Sequence, residues 1–153
     1  MGKEFKKIIT ENRKARFNYF LIEEFEAGMV LLGTEVKSLR EGRAHLKDAY
    51  ARIHNGEVFV HQMHIGQYPF AHYDNHDPLR PRKLLLKKKE IKRLYGKVNE
   101  KGFSLVPLRV YFKRGKAKLI LAMARGKKSH DKRETIRRRD QKRDFERQKK
   151  EHG

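Results

Sequence analysis

Basic side chains interleaved with aromatic rings are the groups in this chain with the clearest potential chemistry. Basic runs occupy residues 12–17, 80–89 and 126–128, and Phe17 ends the first of them. Lys and Arg neutralise phosphates and release counterions, and exposed rings can stack on unpaired bases. A single run could be only a solvated surface. The whole chain, with 39 Lys and Arg against 19 Asp and Glu and a net charge of +20, predicts a nucleic-acid partner.

RNA is favoured over DNA because the sequence contains no helix-turn-helix, zinc-finger or basic-zipper pattern. The chain has no cysteine, which excludes disulfide scaffolds and thiol nucleophiles and favours a reducing cytoplasm. Its first ten residues do not lead into an apolar signal segment, and its longest apolar runs, such as residues 119–124, are far shorter than a membrane-spanning helix. We therefore expect a cytoplasmic protein without a membrane partner.

Histidines and carboxylates leave two weaker alternatives open. Imidazoles and carboxylates at short spacing could share a metal ion, and the candidates are His61, His64, His72, His76 and Asp77. Paired carboxylates could support metal-dependent RNA processing, and the candidates are Glu23, Glu24 and Glu26. In a strand only Glu24 and Glu26 would share a face, and the histidines match no established ligand signature. A binding protein with no cofactor is the favoured interpretation.

Strand signals dominate between residues 12 and 125. Alternating residues on either side of Asn55-Gly56 predict a hairpin, and a second hairpin is predicted around residues 113–115. Residues 17–32 indicate a long strand with Gly28 as a bulge. Thr34 is the expected N-cap of a short helix that ends near Arg40. A second helix is predicted from an apolar repeat of four residues, Leu84, Ile91, Leu94 and Val98.

The last 28 residues form a basic tail. Twelve basic and six acidic residues accompany only two large apolar ones, Ile136 and Phe145, which would lie on opposite sides of a helix. Because the segment between residues 127 and 152 contains no Pro or Gly, we predict a tail that is disordered alone and becomes helical on a polyanion. The sequence thus predicts a flexible segment over 1–11, a binding domain over 12–125 and the tail over 126–153.

The predicted fold is mainly β: a small antiparallel barrel of the OB type with two or three flanking helices, followed by the disordered or conditionally helical tail. Beyond these patterns, the chain resembles the SsrA-binding protein family, small protein B, of bacterial trans-translation. The matching motifs are NRKA at 12–15, EFEAG at 24–28, GTEVKSLR at 33–40, DP at 77–78, RKLLL at 82–86, LVPL at 105–108, GKK at 126–128 and DKR at 131–133.

This resemblance implies an RNA adaptor that binds the tRNA-like part of transfer-messenger RNA and delivers it to stalled ribosomes. It implies RNA contacts by one set of residues: Asn12, Arg13, Lys14, Arg16, Glu26, Lys83, Leu85, Lys127 and Lys128. It implies ribosome contacts by a second set: Phe17, Asp131, Lys132, Arg133, Arg137, Arg138 and Lys142. Glu26 is expected to select among RNAs, because a carboxylate is repelled by phosphate but accepts from 2′-hydroxyl or base amino groups. Leu85 could equally belong to the core.

The same resemblance implies that the tail occupies the decoding region and the empty mRNA channel of the small subunit. It further implies contacts with alanyl-tRNA synthetase and elongation factor Tu through the RNA, and a monomer. The sequence departs from the family pattern at Phe17, where many relatives have histidine, so a stacking contact could persist while a hydrogen bond from that ring is lost. A general structured-RNA-binding or ribosome-associated basic protein is the alternative, since such a protein would bind any folded RNA with similar affinity at fixed salt.

Overall fold

The computed structural model describes residues 7–71, 74–100 and 102–152. The described strands are β1 (Lys7–Glu11), β2 (Tyr19–Met29), β3 (Ala44–His45), β4 (Tyr50–His54), β5 (Glu57–His61), β6 (His64–Ile65), β7 (Arg82–Leu85), β8 (Phe103–Lys113) and β9 (Lys116–Gly126). The described helices are α1 (Ala15–Asn18), α2 (Gly33–Arg40), α3 (Lys88–Val98) and α4 (Ser129–His152).

The described strands form a closed antiparallel sheet. Its order is β1-β8-β4-β5-β7-β2-β9, and β8 also pairs with β9, so that the sheet returns on itself and β1 lies outside the ring. Closure leaves the long strands β8 and β9 without an open edge over most of their length. The short strands β3 and β6 pair separately. The predicted class, a mainly β barrel with flanking helices, is confirmed.

The core fills the ring with inward-facing residues of alternate strand positions. Ala27, Val58, Leu84, Leu119 and Leu121 are almost fully buried there. A second apolar cluster covers the outside of β8 and β9 and includes Ala15, Ile120 and Tyr111. Because the sheet packs on both sides along the middle of β9, that strand is apolar and buried at every position from residue 119 to residue 124.

Both predicted hairpins are confirmed. In the first, Asn55 and Gly56 connect β4 to β5 with φ of +50° and +74°, the left-handed pair that a type I′ turn requires. In the second, Arg114 and Gly115 connect β8 to β9 with φ of +52° and +75°. A local sequence pattern is sufficient to predict these hairpins because the backbone conformation of two turn residues determines how the strands are connected.

Several boundaries differ from the sequence-based expectations. Within the segment predicted to be flexible, Lys7–Glu11 forms strand β1, because the outer edge of β8 offers it a hydrogen-bonding ladder. The bulge in β2 lies between Leu21 and Glu23, not at Gly28. Leu84 is buried in β7 and does not belong to α3, since the run of three leucines over residues 84–86 fits a strand as well as a helix.

The start of α2 is joined to a buried ion-pair network, which explains why Thr34 is not its N-cap. Glu35 accepts from the backbone N–H of Leu32 at 2.8 Å, so its carboxylate satisfies the helix N-terminus. The same carboxylate accepts from Arg82 Nε at 2.5 Å and from Arg80 Nη2 at 2.5 Å. Arg82 is fully buried and also donates to the carbonyl of Met63. Arg82 is therefore unavailable to phosphate although it lies in a basic run.

Burial alone would raise the pKa of Glu35. Hydrogen bonds from Arg80, the Leu32 N–H and Arg82, together with the charge of Arg82, outweigh that effect and hold the pKa of this carboxyl below its ordinary value. Burial lowers the pKa of Arg82, but Glu35 opposes that shift, and a guanidinium remains charged at neutral pH. The network thus joins α2, β7 and the loop before β7 through a charged pair.

The tail is helical in the structure, as α4 from Ser129 to His152. The two large apolar residues of its sequence remain largely at the surface, Ile136 with 37% and Phe145 with 61% of its area exposed. Helicity here agrees with the absence of Pro and Gly. The expectation that the tail is disordered alone and orders on a polyanion stays a prediction, as does the division into three segments.

Candidate nucleic-acid interface

The outward-facing side chains of β2 and β8 form one polar surface, here called the barrel face, defined by Glu24, Glu26, Arg109, Tyr111 and Lys113. Residues that alternate with these along the two strands point into the core, so strand periodicity alone places the five on the outside. Strand β9 lies between β2 and β8 in the sheet. It places Ala122 and Ile120 opposite Glu24 and Glu26, and Lys118 and Lys116 opposite Tyr111 and Lys113. Long polar side chains therefore meet across β9.

Glu26 is the most constrained group of the barrel face. Tyr111 donates its hydroxyl to Glu26 Oε2, and Lys113 Nζ lies 3.4 Å from Glu26 Oε1. Burial raises the pKa of Tyr111, and the hydrogen bond to Glu26 raises it further, so the phenol stays a donor at neutral pH. An ionised carboxylate only accepts, which restricts Glu26 to RNA groups that donate, such as 2′-hydroxyl and base amino groups.

Leu85 and Lys83 extend this surface onto β7. Leu85 has 51% of its area exposed, so the interpretation of Leu85 as a core residue is wrong. It pairs with Gly28, and a Cβ at Gly28 would lie 3.3 Å from Leu85 Cβ, which explains the glycine by close approach rather than by a bulge. Lys83 Nζ lies 3.0 Å from Glu57 Oε1 in an exposed ion pair. Binding of phosphate by Lys83 would exchange this partner.

A second surface, here called the tail junction, lies where β9 leads into α4 and is defined by Arg16, Phe17, Phe20, Lys127 and Thr135. Lys127 Nζ donates to the Arg16 carbonyl at 2.9 Å and to Thr135 Oγ1 at 2.8 Å. It also lies 4.9 Å from the centre of the Phe20 ring. The ammonium donates to two oxygen acceptors and also contacts the Phe20 ring, so Lys127 joins α1, β2 and α4.

Phe17 packs against the first turns of α4. Lys132 Nζ lies 5.9 Å from the centre of the Phe17 ring, at the outer limit of a cation–π contact. Asp131 Oδ2 accepts from the backbone N–H of Lys128 at 3.3 Å, which places a negative charge at the positive end of the helix. The side chain of Lys128 is exposed. Of the residues predicted to meet ribosome or RNA here, Lys128 keeps a freely accessible ammonium, whereas Lys127 serves the junction.

Asn12 connects the residues before α1 to the barrel. Its backbone N–H donates to the Leu108 carbonyl at 2.7 Å, and its side-chain amide donates to the Pro107 carbonyl at 3.2 Å. Arg13, Lys14 and Arg16 follow with exposed side chains, and Arg13 and Arg16 line a groove of about 300 Å³. Asn12 thereby fixes the position of the three cations.

The residues predicted to contact RNA are divided between the two surfaces. Glu26, Lys83 and Leu85 lie on the barrel face and its extension, whereas the rest lie near α1 or the tail junction. Tyr19 at the junction end of β2 is seven residues from Glu26, or about 23 Å at ~3.3 Å per residue. Four predicted ribosome contacts have exposed side chains along α4: Arg133, Arg137, Arg138 and Lys142. The predicted contacts are therefore spread over at least about 23 Å of the surface, at ~3.3 Å per residue along β2.

Comparison with known proteins identifies the family. The family model described as SmpB protein matches residues 9–151. An SsrA-binding protein from Geobacter sulfurreducens is 57% identical over 139 residues, covering 91% of each chain, and one from Halalkalibacterium halodurans is 54% identical over 147 residues, covering 96% of each. The chain belongs to the SmpB protein family. The resemblance stated from the sequence motifs is therefore confirmed.

A solved SmpB-family structure supports the architecture. It is described as "tmRNA-SmpB: a journey to the center of the bacterial ribosome", and it shares 49% identity with this chain at a TM-score of 0.67. The match covers 84% of this chain and 94% of the other. At that identity, the likeness extends beyond the fold to the family itself.

In this SmpB family member, the histidines proposed as metal ligands contact other protein groups. Both ring nitrogens of His76 have partners, Nδ1 at 2.9 Å from Thr34 Oγ1 and Nε2 at 2.9 Å from the Ile65 carbonyl. His64 stacks on His45 with centroids 4.6 Å apart, and His61 stacks on Tyr50. Within the described part of the chain, no group of three or more His, Cys, Asp or Glu residues could hold a metal ion. His72 lies outside the described residues.

The carboxylates of the enzyme alternative are each paired with a basic side chain. Glu24 and Glu26 share the outer face, as predicted, and Glu24 Oε2 lies 3.7 Å from Arg109 Nη2. Glu23 points away from that face and lies 2.9 Å from Arg93 Nη2. No described helix is both long and apolar enough to cross a membrane.

Sequence reasoning missed three groups that this SmpB chain uses at its surfaces. Tyr111 and Lys113 hold Glu26, and Phe20 lies between Arg125, 5.1 Å from the ring centre, and Lys127. The contact between Glu26 and Tyr111 spans 85 residues of sequence and depends on the register of three strands. The sequence did contain one indication for Tyr111: it is an aromatic residue with a polar hydroxyl group in a mainly apolar strand.

Proposed function

We propose that this SmpB family member binds the tRNA-like part of transfer-messenger RNA through its barrel face and delivers that RNA to stalled ribosomes in trans-translation. The observation that carries the proposal is Glu26, which Tyr111 and Lys113 hold at the surface beside the exposed Leu85. A fixed acceptor surrounded by cations attracts RNA by charge and selects by hydrogen bonding. The names of its relatives and the description of the solved SmpB structure support the same partner.

In this proposal the barrel with its RNA imitates a complete tRNA, and the protein occupies the place of the anticodon arm. The tail helix α4 then enters the decoding region and the empty mRNA channel of the small subunit, where Arg137, Arg138 and Lys142 face rRNA phosphates. Phe17 and Asp131 to Arg133 begin this contact at the tail junction. Because the two surfaces are about 23 Å apart along β2, at ~3.3 Å per residue, each can meet a different RNA.

The protein acts here as a cytoplasmic adaptor without catalysis and without a cofactor. Its contribution is geometric, since it sets the position of one RNA relative to another. Alanyl-tRNA synthetase and elongation factor Tu meet it through the RNA. The alternative of a general structured-RNA-binding protein would need the same charge but not the constrained carboxylate at Glu26.

The test is competition binding of the full chain to the tRNA-like RNA against ordinary tRNA over a range of salt concentrations. Glu26→Gln removes the charge of the acceptor, and Glu24→Gln is the matched control on the same strand and face. A charged hydrogen bond contributes about 1.5–3 kcal/mol, so Glu26→Gln should weaken specific binding by about tenfold or more. Glu24→Gln should change it by less than about threefold, because Glu24 forms only a 3.7 Å pair with the half-buried Arg109 at the surface.

A variant that combines Arg137→Gln, Arg138→Gln and Lys142→Gln tests whether α4 contacts the ribosome while the barrel face binds the tRNA-like RNA. We expect it to lose peptide tagging on stalled ribosomes far more than binding to the tRNA-like RNA. Removal of residues 126–153 should do the same. Equal affinity of the unaltered chain for both RNAs, with a steep salt dependence, would instead favour the general RNA-binding protein. Metal-dependent RNA turnover would contradict the adaptor.

A further inference from the structure

A groove lies between α3 and the turn that joins β4 to β5. Its volume is about 420 Å³, within the range of small-ligand sites. Its lining residues are Ile53, Asn55, Gly56, Ile91, Lys92 and Tyr95. Tyr95 has 58% of its area exposed and also borders a neighbouring groove that contains Tyr50. A large ring thus stands open to solvent between two concave surfaces.

The helical spacing of α3 places two lysines on the same side as Tyr95. At about 100° per residue, Lys88, Lys92 and Tyr95 lie within about 60° of one another. Leu94 on another side of the helix is buried and fixes α3 against the core. The orientation of α3 therefore places the Tyr95 ring and Lys92 at the groove, with Lys88 one turn earlier on the same side of the helix.

The cations on the far side of α3 are neutralised, in contrast to those beside the groove. Arg93 pairs with Glu23 at 2.9 Å, and Lys97 pairs with Glu100 at 3.5 Å. Lys88 and Lys92 are exposed and form no ion pair with any residue that the structure describes. Positive charge without an internal partner is thus concentrated next to an exposed aromatic ring.

We propose that this groove binds one unpaired nucleotide of RNA, with its base stacked on Tyr95 and its phosphate held by Lys88 and Lys92. Stacking on an aromatic ring accepts any base and is the usual mode for unpaired nucleotides. Ile53 and Ile91 supply an apolar wall. The Asn55 amide, whose Nδ2 lies 3.3 Å from His54 Nε2, still offers its carbonyl oxygen and its second N–H to the edge of the base. The lysines and the net charge of +20 favour RNA as the occupant over a protein segment.

The groove is a separate site from the barrel face. Going round the closed sheet, β4 is three strands from β2 in either direction, through β5 and β7 or through β8 and β9. None of the residues that line the groove belongs to the barrel face. A nucleotide in the groove would therefore make contacts other than those made at Glu26. This inference rests only on the RNA-binding part of the proposed function.

The experiment is a titration of the full, isotope-labelled chain with hexauridylate, followed by amide NMR. A chain of this charge binds RNA at several places, so binding has to be measured at individual amides of the groove. The amides of Gly56 and Tyr95 should shift on binding. Tyr95→Ala should weaken the affinity read at Gly56 by about 5-fold to 150-fold, the range for loss of one base–aromatic stack. Tyr95→Phe keeps the ring and should bind as the unaltered chain does.

Charge at the groove is tested with a matched pair of lysines. Lys92→Gln should reduce the slope of log affinity against log salt, read at Gly56, by about 0.7, the value for one phosphate contact to a single strand. Lys89→Gln removes the same charge from the same helix, about 100° away from Lys88, and should leave that slope unchanged. Equal slopes in the two variants would overturn the assignment of the phosphate.

The remaining outcomes separate this inference from the proposed function. If the chain binds the tRNA-like RNA but the groove amides do not shift, or if Tyr95→Ala shows unaltered affinity with the β4 amides intact, the groove is not an RNA site. If hexaglutamate shifts these amides and hexauridylate does not, the occupant is an acidic protein segment, and the inference fails. If the groove binds hexauridylate but the chain has no preference for the tRNA-like RNA, the inference holds and the proposed function fails.

Discussion

The barrel face and the tail helix both carry many charges, but they are held in different ways. On the barrel face, both carboxylates of β2 have partners on β8: Arg109 for Glu24, and Tyr111 with Lys113 for Glu26. In α4 the basic side chains of Arg133, Arg137, Arg138 and Lys142 are exposed to solvent. The helix is attached to the barrel mainly through Lys127 and the residues around it.

The difference between the paired charges of the barrel face and the exposed charges of α4 explains how one small chain can bind two RNA partners. Groups that are already ordered lose little entropy on binding and discriminate by geometry. A charged helix with few apolar contacts gains most of its stability from what it binds, and it can adapt to a long anionic channel. The barrel face therefore suits selection of one RNA, and the tail suits occupation of a site on another.

The largest expected effect separates the stability of the barrel from that of the tail. Arg82→Met removes one partner of the buried Glu35 carboxylate, so the free energy of unfolding of the barrel should fall by about 3–5 kcal/mol. Urea unfolding followed by circular dichroism measures it. Arg43→Met, which breaks an exposed pair with Glu41, is the control and should cost less than about 1 kcal/mol. Similar losses in both variants would contradict a buried, essential pair.

Acid should destabilise the barrel through the same carboxylate. The pKa of Glu35 is lower in the folded chain than its ordinary value of 4.5, so its contribution to stability is complete above about pH 4.5 and is lost as the pH falls through the folded pKa. Urea midpoints between pH 3 and 7 should fall more steeply for the unaltered chain than for Glu35→Gln. Parallel curves for the two proteins would show that Glu35 does not titrate below its ordinary range.

A smaller effect tests whether Tyr111 preorganises the barrel face. Tyr111→Phe removes the donor that holds Glu26, so the preference for the tRNA-like RNA over ordinary tRNA should fall by about tenfold, equivalent to ~1.4 kcal/mol. Competition binding at fixed salt is the measurement. Tyr19→Phe is the matched control, because Tyr19 packs on the same apolar cluster without contacting Glu26. An unchanged preference in Tyr111→Phe would remove the argument for a fixed acceptor.

The smallest effect concerns the attachment of the tail. Lys127→Met loses the bonds to Arg16 and Thr135, so amide hydrogen exchange in the first turns of α4 should become about fivefold faster, equivalent to ~1 kcal/mol of local opening. Lys128→Met is the control, since its exposed side chain makes no hydrogen bond to any described residue. Equal acceleration in both variants would mean that charge, rather than the contacts of Lys127, anchors the helix.

Local sequence patterns gave the most accurate predictions of the structure. The Asn55-Gly56 turn identified its hairpin because two residues fix the backbone geometry there. The family followed from motifs distributed along the chain. The absence of Pro and Gly is compatible with helix α4, while the ordering of the tail on a polyanion stays a prediction. The turn depends on residues adjacent in the sequence, and the family assignment depends on short sequence motifs. Both are visible in the sequence alone.

Contacts across the barrel could not be predicted in this way. Glu35 and Arg82 are 47 residues apart, and each alone reads as a surface charge. Their pairing depends on how α2 packs against β7. Leu84 was assigned to a helix because a short apolar run satisfies both periodicities until its neighbours in the sheet are known. Lys127 likewise reads as a phosphate ligand until the carbonyl of Arg16 is placed beside it.

The position of β9 has a mechanical consequence for the tail. This strand leads directly into α4, and it pairs along nearly its whole length with β2 on one edge and β8 on the other. A force that pulls α4 along the direction of β9 would load these two ladders in shear, so many hydrogen bonds would have to break together rather than one after another. The barrel is thereby a firm anchor for a segment under tension.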